Sequence, residues 1–445
     1  MQTAHHFRLR LNLNRDKYEF SNKGVAMQFK LDAFLNPYLP AGANRVDAIL
    51  TIQASGNSSI PTSRHAAAVG LIIDTSGSME GNRMFSVKHA TRKAIEMLDS
   101  DTWFFIVTFS DHPTLVSPLA QASMSNKLAA DQRVERLEAR GGTRMSAGLN
   151  MAKTEFRKIP DAIHYGLFLT DGKNHSDDES NLFNVLNECD GVFQCDCWGI
   201  GTDWEPKQLK NVASKLMGTA DIIPQPAGIG TAFGNAVTGA KGRSVGDVRL
   251  RLWTPKSAKI ISCKQMSPDI TLLTTRGIAA DAQTKDFPTG AWGNETRDYY
   301  VAIELPHGDL GDEMLACRPS VVYSEDGIEI KVSGSPVVAT WTDDESLSTR
   351  INEQVAHYAG QEELAERIHD GLEARAKGDL DVATKMLGKA AKIASESGNM
   401  DTVRRLSKVV DIVNAELGTV RLKSLVDKAD EMDLDLASTR TARRK

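Results

Sequence analysis

The sequence predicts an α/β protein. A doubly wound domain with a parallel sheet is inserted in, or flanked by, an antiparallel β-sandwich, and a C-terminal α-helical bundle follows. Three observations predict this. First, four continuous apolar runs, AAAVGLIID (66–74), WFFIVTF (103–109), YGLFLTD (165–171) and CDCWGIG (195–201), alternate with helical patterns. Strands buried on both faces read this way, and helices must cover both sides. Second, the flanking regions hold short alternating runs separated by Gly and Pro, as half-buried antiparallel strands do. Third, the C-terminal region carries apolar residues at helical spacing.

Residues 1–65 read as strands. FRLRLNL (7–13) and VDAILTIQAS (46–55) alternate apolar and polar side chains, with a Pro/Gly turn at 37–42 between them. GNSSIPTSR (56–64) reads as a linker. Residues 66–242 form the α/β domain. Its helices include FSVKHATRKAIEMLDS (85–100) and SNKLAADQRVERLEAR (125–140), and GTAFGNAVTGAKG closes it as a helix. Residues 243–342 return to β character in GDVRLRLWTP, KIISCKQM, DYYVAIELP and SVVYSEDGIEIKVS. The N-terminal strands share this style. They are expected to join the same sandwich, which makes the α/β domain an insertion.

Residues 343–445 are expected to be helical, with a basic tail. DLDVATKMLGKAAKIASESG has apolar residues at 383, 386, 387, 390, 393 and 394. DTVRRLSKVVDIVNAEL has them at 403, 406, 410, 413 and 417. Gly378 with Asp379, and Gly398 with Asn399, supply C-cap and N-cap signals. Short turns imply antiparallel helix packing. The tail STRTARRK reads as mobile.

The chain has 445 residues, room for roughly two to four domains. Lys plus Arg number 53 and Asp plus Glu 58, a net charge of −5. A dedicated nucleic-acid binder would carry a strongly basic domain, and this balance argues against one. With 41% hydrophobic and 25% charged residues, the composition supports a large core. No apolar stretch reaches the roughly 18 residues of a membrane helix. The start, MQTAHHFRLRLNLNRD, lacks the apolar core of a signal peptide. The five cysteines, Cys189, Cys195, Cys197, Cys263 and Cys317, are an odd number and no disulfide framework. A cytoplasmic setting is the expectation. Cys189, Cys195 and Cys197 contain no CxxC pair, which argues against zinc; they read as buried thiols on a helix and the strand after it.

The chemistry concentrates in IIDTSGSMEG (72–81), GGT (141–143) and TDG (170–172). Asp74 and Asp171 each end a buried strand. Ser76 and Ser78 follow Asp74 in a loop that opens a helix, and Thr143 lies in a glycine loop. Open parallel sheets bind ligands beyond the carboxyl ends of their strands, and both aspartates are placed to reach that crevice. All five side chains present oxygen. Such a set suits a hard cation, Mg²⁺ first, with Mn²⁺ or Ca²⁺ as alternatives, and matches zinc poorly. Mg²⁺ completes its shell with waters or ligand oxygens. The site would therefore keep an open face that favours an incoming carboxylate.

Together, DxSxS, a distant Thr after GG, and TDG resemble the metal-ion-dependent adhesion site of von Willebrand factor type A domains. The likeness covers residues 66–242 and fills all five positions: Asp74, Ser76, Ser78, Thr143 and Asp171. It implies a Rossmann-like fold. It also implies that the hydroxyls bind the metal directly or through water. The aspartates would bind it directly or hold its waters, and a partner's Glu or Asp would take the open position. TGAWGNETRDYYVAIELP and GDEMLACRPSVVY are further similar to bacterial multi-domain proteins of this class, with a β-sandwich and a helical C-terminal part. For these the resemblance implies Ser/Thr kinases, forkhead-associated domains or MoxR-type AAA+ ATPases as partners. The function so implied is a non-enzymatic scaffold or regulatory module that grips an acidic residue of a protein partner through Mg²⁺, with no nucleic acid and no membrane involved. The alternative is an adaptor subunit for a MoxR-type ATPase. A metal-dependent enzyme is the weakest reading, because no general base accompanies the motif.

Other motifs carry less. GIGTAFG (228–234) lacks the context and lysine of a phosphate loop and reads as close packing at a helix start. His5 and His6 read as surface residues, and His164 as structural. No GxSxG motif appears, so a hydrolase is a weak reading. Thr439 and Thr441 lie among arginines, where a kinase substrate and a solvated terminus are both readable; the solvated terminus is favoured.

Overall fold

The structure, a computed structural model, describes residues 27–56, 66–325 and 327–443. The strand expected at 7–13, the linker beyond Gly56, His5, His6 and the last two residues of the tail lie outside the described residues.

The described chain begins with β1 (Gln28–Leu35), β2 (Tyr38–Pro40) and β3 (Arg45–Ser55). An α/β unit follows. Its strands are β4 (Ala67–Asp74), β5 (Trp103–Phe109), β6 (Pro113–Gln121), β7 (Ile163–Thr170), β8 (Gln194–Ile200) and β9 (Ala220–Ile223). Its helices are α1 (Asn82–Met97), α2 (Met124–Glu135), α3 (Met145–Phe156), α4 (Glu179–Cys189), α5 (Pro206–Lys215) and α6 (Ile229–Lys241). The sheet order is β6-β5-β4-β7-β8-β9. Every pairing is parallel except that of β6, which folds back antiparallel on β5. The sequence pattern does not announce β6. PTLVSPLAQ has two prolines and no continuous apolar run, which an edge strand tolerates and a central strand does not.

The two-residue period of each strand divides its side chains between two helix layers. Val69, Leu71 and Ile73 of β4 pack with Val87 of α1, Val134 of α2 and Phe233 of α6. Ala68 and Ile72 point the other way, into a layer with Leu149 of α3, Leu186 of α4 and Val212 of α5. Both faces of β4 are buried, which is why its sequence is continuously apolar.

The sandwich strands are β10 (Val245–Trp253), β11 (Lys259–Ser267), β12 (Thr271–Leu272), β13 (Ile278–Ala279), β14 (Thr284–Trp292), β15 (Glu295–Glu304), β16 (Glu313–Glu325), β17 (Ile328–Ser333) and β18 (Val337–Thr342). One sheet runs β1-β3-β15-β11-β12 and the other β13-β14-β10-β16-β18-β2, with β17 also paired to β16. The N-terminal strands therefore complete the sandwich, and the α/β unit is inserted between β3 and β10. Leu50, Ile52, Leu250, Leu252, Tyr299, Val301 and Trp341 fill the space between the sheets. Buried Arg297 lays its guanidinium 4.3 Å from the Trp292 ring centroid and donates to Ala291 O and Glu295. Gln194 of β8 ties the two units, accepting from Ala291 N–H at 3.2 Å and donating to Met217 O at 3.1 Å.

The C-terminal region is more than a helical bundle. Helices α7 (Glu345–Ser348), α8 (Glu353–Ala376), α9 (Leu380–Glu396), α10 (Met400–Val409) and α11 (Lys428–Ala437) are interrupted by a hairpin, β19 (Val410–Asn414) and β20 (Thr419–Leu422). The helix expected to run through 417 ends at Val409. Its apolar spacing fits a helix, but VDIVN is rich in β-branched residues and bonds across to β20 instead. Asp379 and Asn399 do cap α9 and α10, accepting from Val382 and Thr402 N–H. Gly378 and Gly398 precede them at φ +81° and +67°. Helix α11 returns to the α/β unit, where Met432 and Leu436 join the layer of Leu209 and Val212.

The tail, expected to be mobile, is packed against the rest of the molecule as far as Arg443. Ile270 N–H donates to Thr439 O at 2.8 Å and Thr441 N–H to Pro268 O at 3.0 Å. Arg440 pairs with Asp221 at 2.8 Å and Arg443 with buried Asp298 at 3.1 Å. The Thr441 hydroxyl is itself engaged, donating to Met266 O at 2.6 Å. Arg440 and Arg443, two of the arginines that suggested a solvated end, find acidic partners on the α/β unit and the sandwich. No described helix is long and apolar enough to cross a membrane.

Candidate functional site

The site lies where β4 and β7, adjacent and parallel, end. The chain leaves β4 toward β5 on one side and returns to β7 on the other, so the crevice opens at the switch point of the sheet. Asp74 is the last residue of β4, and Asp171 follows Thr170, the last of β7. Neither aspartate is exposed.

Three loops converge there, and backbone hydrogen bonds stitch them together. Thr75 N–H donates to Phe109 O at 2.8 Å, and Arg140 N–H to Thr75 O at 2.7 Å. Gly77 N–H reaches Gly141 O at 2.9 Å, and His175 N–H reaches Thr143 O at 2.9 Å. The hydroxyls are thus carried on loops that backbone hydrogen bonds tie to one another.

The structure brings together all five residues singled out from the sequence. Asp74 Oδ1 accepts from Ser76 N–H at 2.7 Å. Ser76 Oγ lies 3.0 Å from Ser78 Oγ, and Ser78 Oγ donates to Asp171 Oδ1 at 2.6 Å. Thr143 Oγ1 and Ser78 Oγ both face Gly172; a Cβ there would stand 3.1 Å from the first and 3.7 Å from the second. Ser76 and Thr143 are buried, whereas Ser78 sits at the exposed rim.

Two contributors escaped the sequence reading. Thr170 Oγ1 donates to Asp74 Oδ2 at 2.6 Å, and it could have been found as the first residue of the TDG motif. Arg83, at the start of α1, donates through Nη1 to Asp171 Oδ2 at 2.5 Å and through Nη2 to Asp203 Oδ2 at 3.2 Å. No pattern in the sequence connects Arg83 to residues 88 and 120 positions away.

Burial pushes the Asp74 carboxyl up to about 6, despite the lowering effect of its Thr170 and Ser76 hydrogen bonds; the neighbouring Asp171 charge adds slightly to the rise. The hydrogen-bond donors to Asp74 among the described residues are neutral. A buried carboxylate held only by neutral donors is costly, and a cation relieves that cost. Two carboxylates and three hydroxyls, all oxygen, on loops tied together by backbone hydrogen bonds fit a hard divalent ion.

The remaining candidates are structural. His164 bonds to Val192 O and Ile159 O at 2.7 and 2.9 Å. All five cysteines are buried and unpaired, and burial pushes the Cys189 and Cys317 thiols up to about 12. Gly228 and Ile229 mark the start of α6, as the packing reading of GIGTAFG expects.

Comparison with known proteins adds the family context. Residues 67–222 match the model of the von Willebrand factor type A domain, and residues 392–438 that of the von Willebrand factor type A C-terminal domain. The chain is similar to the structure of a von Willebrand factor type A protein from Catenulispora acidiphila. Identity is 39%, the match covers 96% of this chain and 99% of the other, and the TM-score is 0.89. It shares its fold with the ArnB paralog VWA2 from Sulfolobus acidocaldarius, at 14% identity, covering 93% and 98% of the two chains with a TM-score of 0.59. Among curated relatives, an uncharacterized protein of Synechocystis sp. is 28% identical over 191 residues, 42% of this chain and 45% of that one. Human inter-alpha-trypsin inhibitor heavy chain H3 is 30% identical over 166 residues, 35% of this chain and 19% of that one. The chain spans less than half the length of these two relatives.

Proposed function

The chain belongs to the von Willebrand factor type A family, whose domains generally mediate protein–protein interaction, and from that premise we propose that it is a metal-dependent protein-binding module. Asp74, Ser76, Ser78, Thr143 and Asp171 hold a divalent ion, Mg²⁺ before Mn²⁺ or Ca²⁺, and an Asp or Glu of a protein partner completes its shell. The observation that carries this reading is the convergence of three hydroxyls on two fully buried carboxylates at the sheet's switch point. The metal supplies the positive charge that attracts and orients the partner's carboxylate. The chain's own loops supply a rigid, oxygen-lined seat with one open side.

Residues 66–242 would be the binding module, the described residues within 1–65 and 243–342 its mount, and those within 343–445 a further surface. All five cysteines are free, which supports a reducing, cytoplasmic setting. A scaffold or regulatory role follows, without catalysis.

The test has two parts. Mg²⁺ binding to the full chain is measured by calorimetry for the wild type and Asp74→Ala. Binding by the wild type and its loss in a folded variant support the assignment; normal Mg²⁺ affinity in Asp74→Ala refutes it. Affinity capture from native lysate, with Mg²⁺ and with EDTA, then identifies partners that depend on the metal. A kinase, a forkhead-associated protein or an AAA+ ATPase in that fraction would name the pathway. Partners that survive chelation would move the main interface away from the metal.

A further inference from the structure

Arg83 is a charged residue at the site that the metal reading does not use. Its side chain is only 26% exposed and lies against Asp171, which is fully buried. Nη1 also donates to Ser78 O at 3.2 Å, so the guanidinium is held beside the hydroxyl loop as well as the carboxylate. Its second partner, Asp203, is 66% exposed on the loop after β8. Arg83 is thus fixed with its charge on the inner side of the site, while Asp203 lies in solvent, where screening weakens it.

Charge accounting gives this position a consequence. Asp74 and Asp171 together carry two negative charges, and a divalent ion cancels both. A neutral site has no long-range preference for an anion. Arg83 adds one positive charge on the inner side, and the carboxylates that offset it, Asp203 and the Asp111 that lies against Gly141 and Gly142, are both exposed and screened. The loaded site therefore remains electropositive, and a carboxylate brought to it brings the charge close to balance. The same arginine opposes the metal, because a cation already occupies one side of Asp171.

We propose that Arg83 sets the charge of the site, weakening its hold on a bare divalent ion and strengthening its hold on an acidic ligand once the ion is bound. This rests on the metal reading above and deepens it. Metal and acidic partner then bind cooperatively: each is held weakly alone, and each improves the site for the other. The partner class this favours is one presenting an anionic side chain; a neutral amide or hydroxyl leaves the excess charge uncompensated.

The test uses the full chain, with Mg²⁺ alone and then Mg²⁺ with acetate as the carboxylate probe, read by calorimetry. Arg83→Gln should bind Mg²⁺ about three- to tenfold more tightly than the wild type, an order of magnitude set by removing one nearby cation. Acetate should raise the apparent Mg²⁺ affinity of the wild type, and this enhancement should shrink in Arg83→Gln. Arg83→Lys keeps the charge without the planar fork and should resemble the wild type in both readings. Asp203→Asn should enlarge the acetate effect. The opposite signs of the two changes in Arg83→Gln are the signature of a charge-setting role. Weaker Mg²⁺ binding in Arg83→Gln would overturn the proposal and make Arg83 a residue that merely orients Asp171. Unchanged values in a folded Arg83→Gln would overturn it as well. A wild type that binds no Mg²⁺ would instead remove the metal reading on which it stands, an outcome seen before any variant is made.

Discussion

Thr170 Oγ1 donates a 2.6 Å hydrogen bond to Oδ2 of Asp74, joining the carboxyl ends of β7 and β4 beneath the hydroxyl loop. The bond fixes one oxygen of Asp74, while Ser76 N–H fixes the other. Thr170→Val keeps the shape of the side chain and removes the donor. Groups that orient metal ligands typically contribute 10- to 100-fold to affinity, so Mg²⁺ binding should weaken by about tenfold or more. The metal-free protein should lose about 1–3 kcal/mol, because a buried carboxylate is left short of a donor. Calorimetry and denaturant unfolding read the two effects; an unchanged Mg²⁺ affinity would detach Thr170 from the site.

Asp74 also gives the metal-free protein a pH dependence. Its carboxyl is raised to about 6 in the folded state, against about 4 in an unfolded chain. Between these values the folded state binds the extra proton, so this group's contribution to stability falls as pH rises through the window. A shift of about 2 units corresponds to about 3 kcal/mol at neutral pH. Asp74→Asn, in EDTA, should be more stable than the wild type at pH 7.5 and lose that advantage at pH 4. Added Mg²⁺ should stabilise the wild type and leave the variant unmoved. Parallel pH profiles for the two proteins would contradict the burial argument.

The tail is a second place where charge and burial meet. Arg443 reaches Asp298, a carboxylate 2% exposed that also accepts from Thr51 and Tyr358 hydroxyls at 2.5 Å each. Arg443 is 39% exposed, so water screens the pair and Arg443→Ala should cost about 1 kcal/mol or less. Deleting residues 439–445 removes the Arg440 pair and two backbone bonds as well and should lower the melting temperature more clearly. Hydrogen exchange gives the direct reading. The amides of Ile270 and Thr441 should be protected in the wild type, and Ile270 should lose protection on truncation. Fast exchange at both in the intact chain would restore the picture of a mobile end.

Gly388 lies inside α9, where alanine would ordinarily be the better helix former by about 1 kcal/mol. A Cβ there would stand 2.3 Å from Gly418 O in the turn between β19 and β20. Backbone cannot step aside as a flexible side chain can. Gly388→Ala should therefore destabilise the protein by about 1–3 kcal/mol, against its propensity, because the hairpin must move off the helix. Thermal unfolding decides the sign. A stabilised variant would mean that α9 and the hairpin do not pack this closely.

Much of the molecule was legible along the chain because its signals are local. Continuous apolar runs marked β4, β5, β7 and β8, since strands buried on both faces have no polar side. The seat of Asp74, Ser76 and Ser78 was legible for the same reason: one loop carries all three side chains within five residues. Glycine followed by Asp or Asn placed the caps of α9 and α10. Where two local signals coincided, the reading failed. Apolar residues at 406, 410 and 413 satisfy helical spacing, yet β-branching and the pairing with β20 end the helix at Val409. The edge strand β6 was silent because half-exposed positions do not require an apolar pattern.

The sequence by itself therefore marked β4, β5, β7 and β8 of the α/β sheet, β3, β10, β11, β15, β16 and β17 of the sandwich, and five oxygen-bearing side chains, through burial patterns and spacing within single segments. Tertiary structure alone decided that Arg83 lies on Asp171, that Thr170 holds Asp74, that α11 completes a distant core and that Arg440 and Arg443 meet Asp221 and Asp298. Each of these joins segments far apart in the chain. Their side chains carry no mark of their partners until packing excludes water and makes an unpaired charge or donor costly.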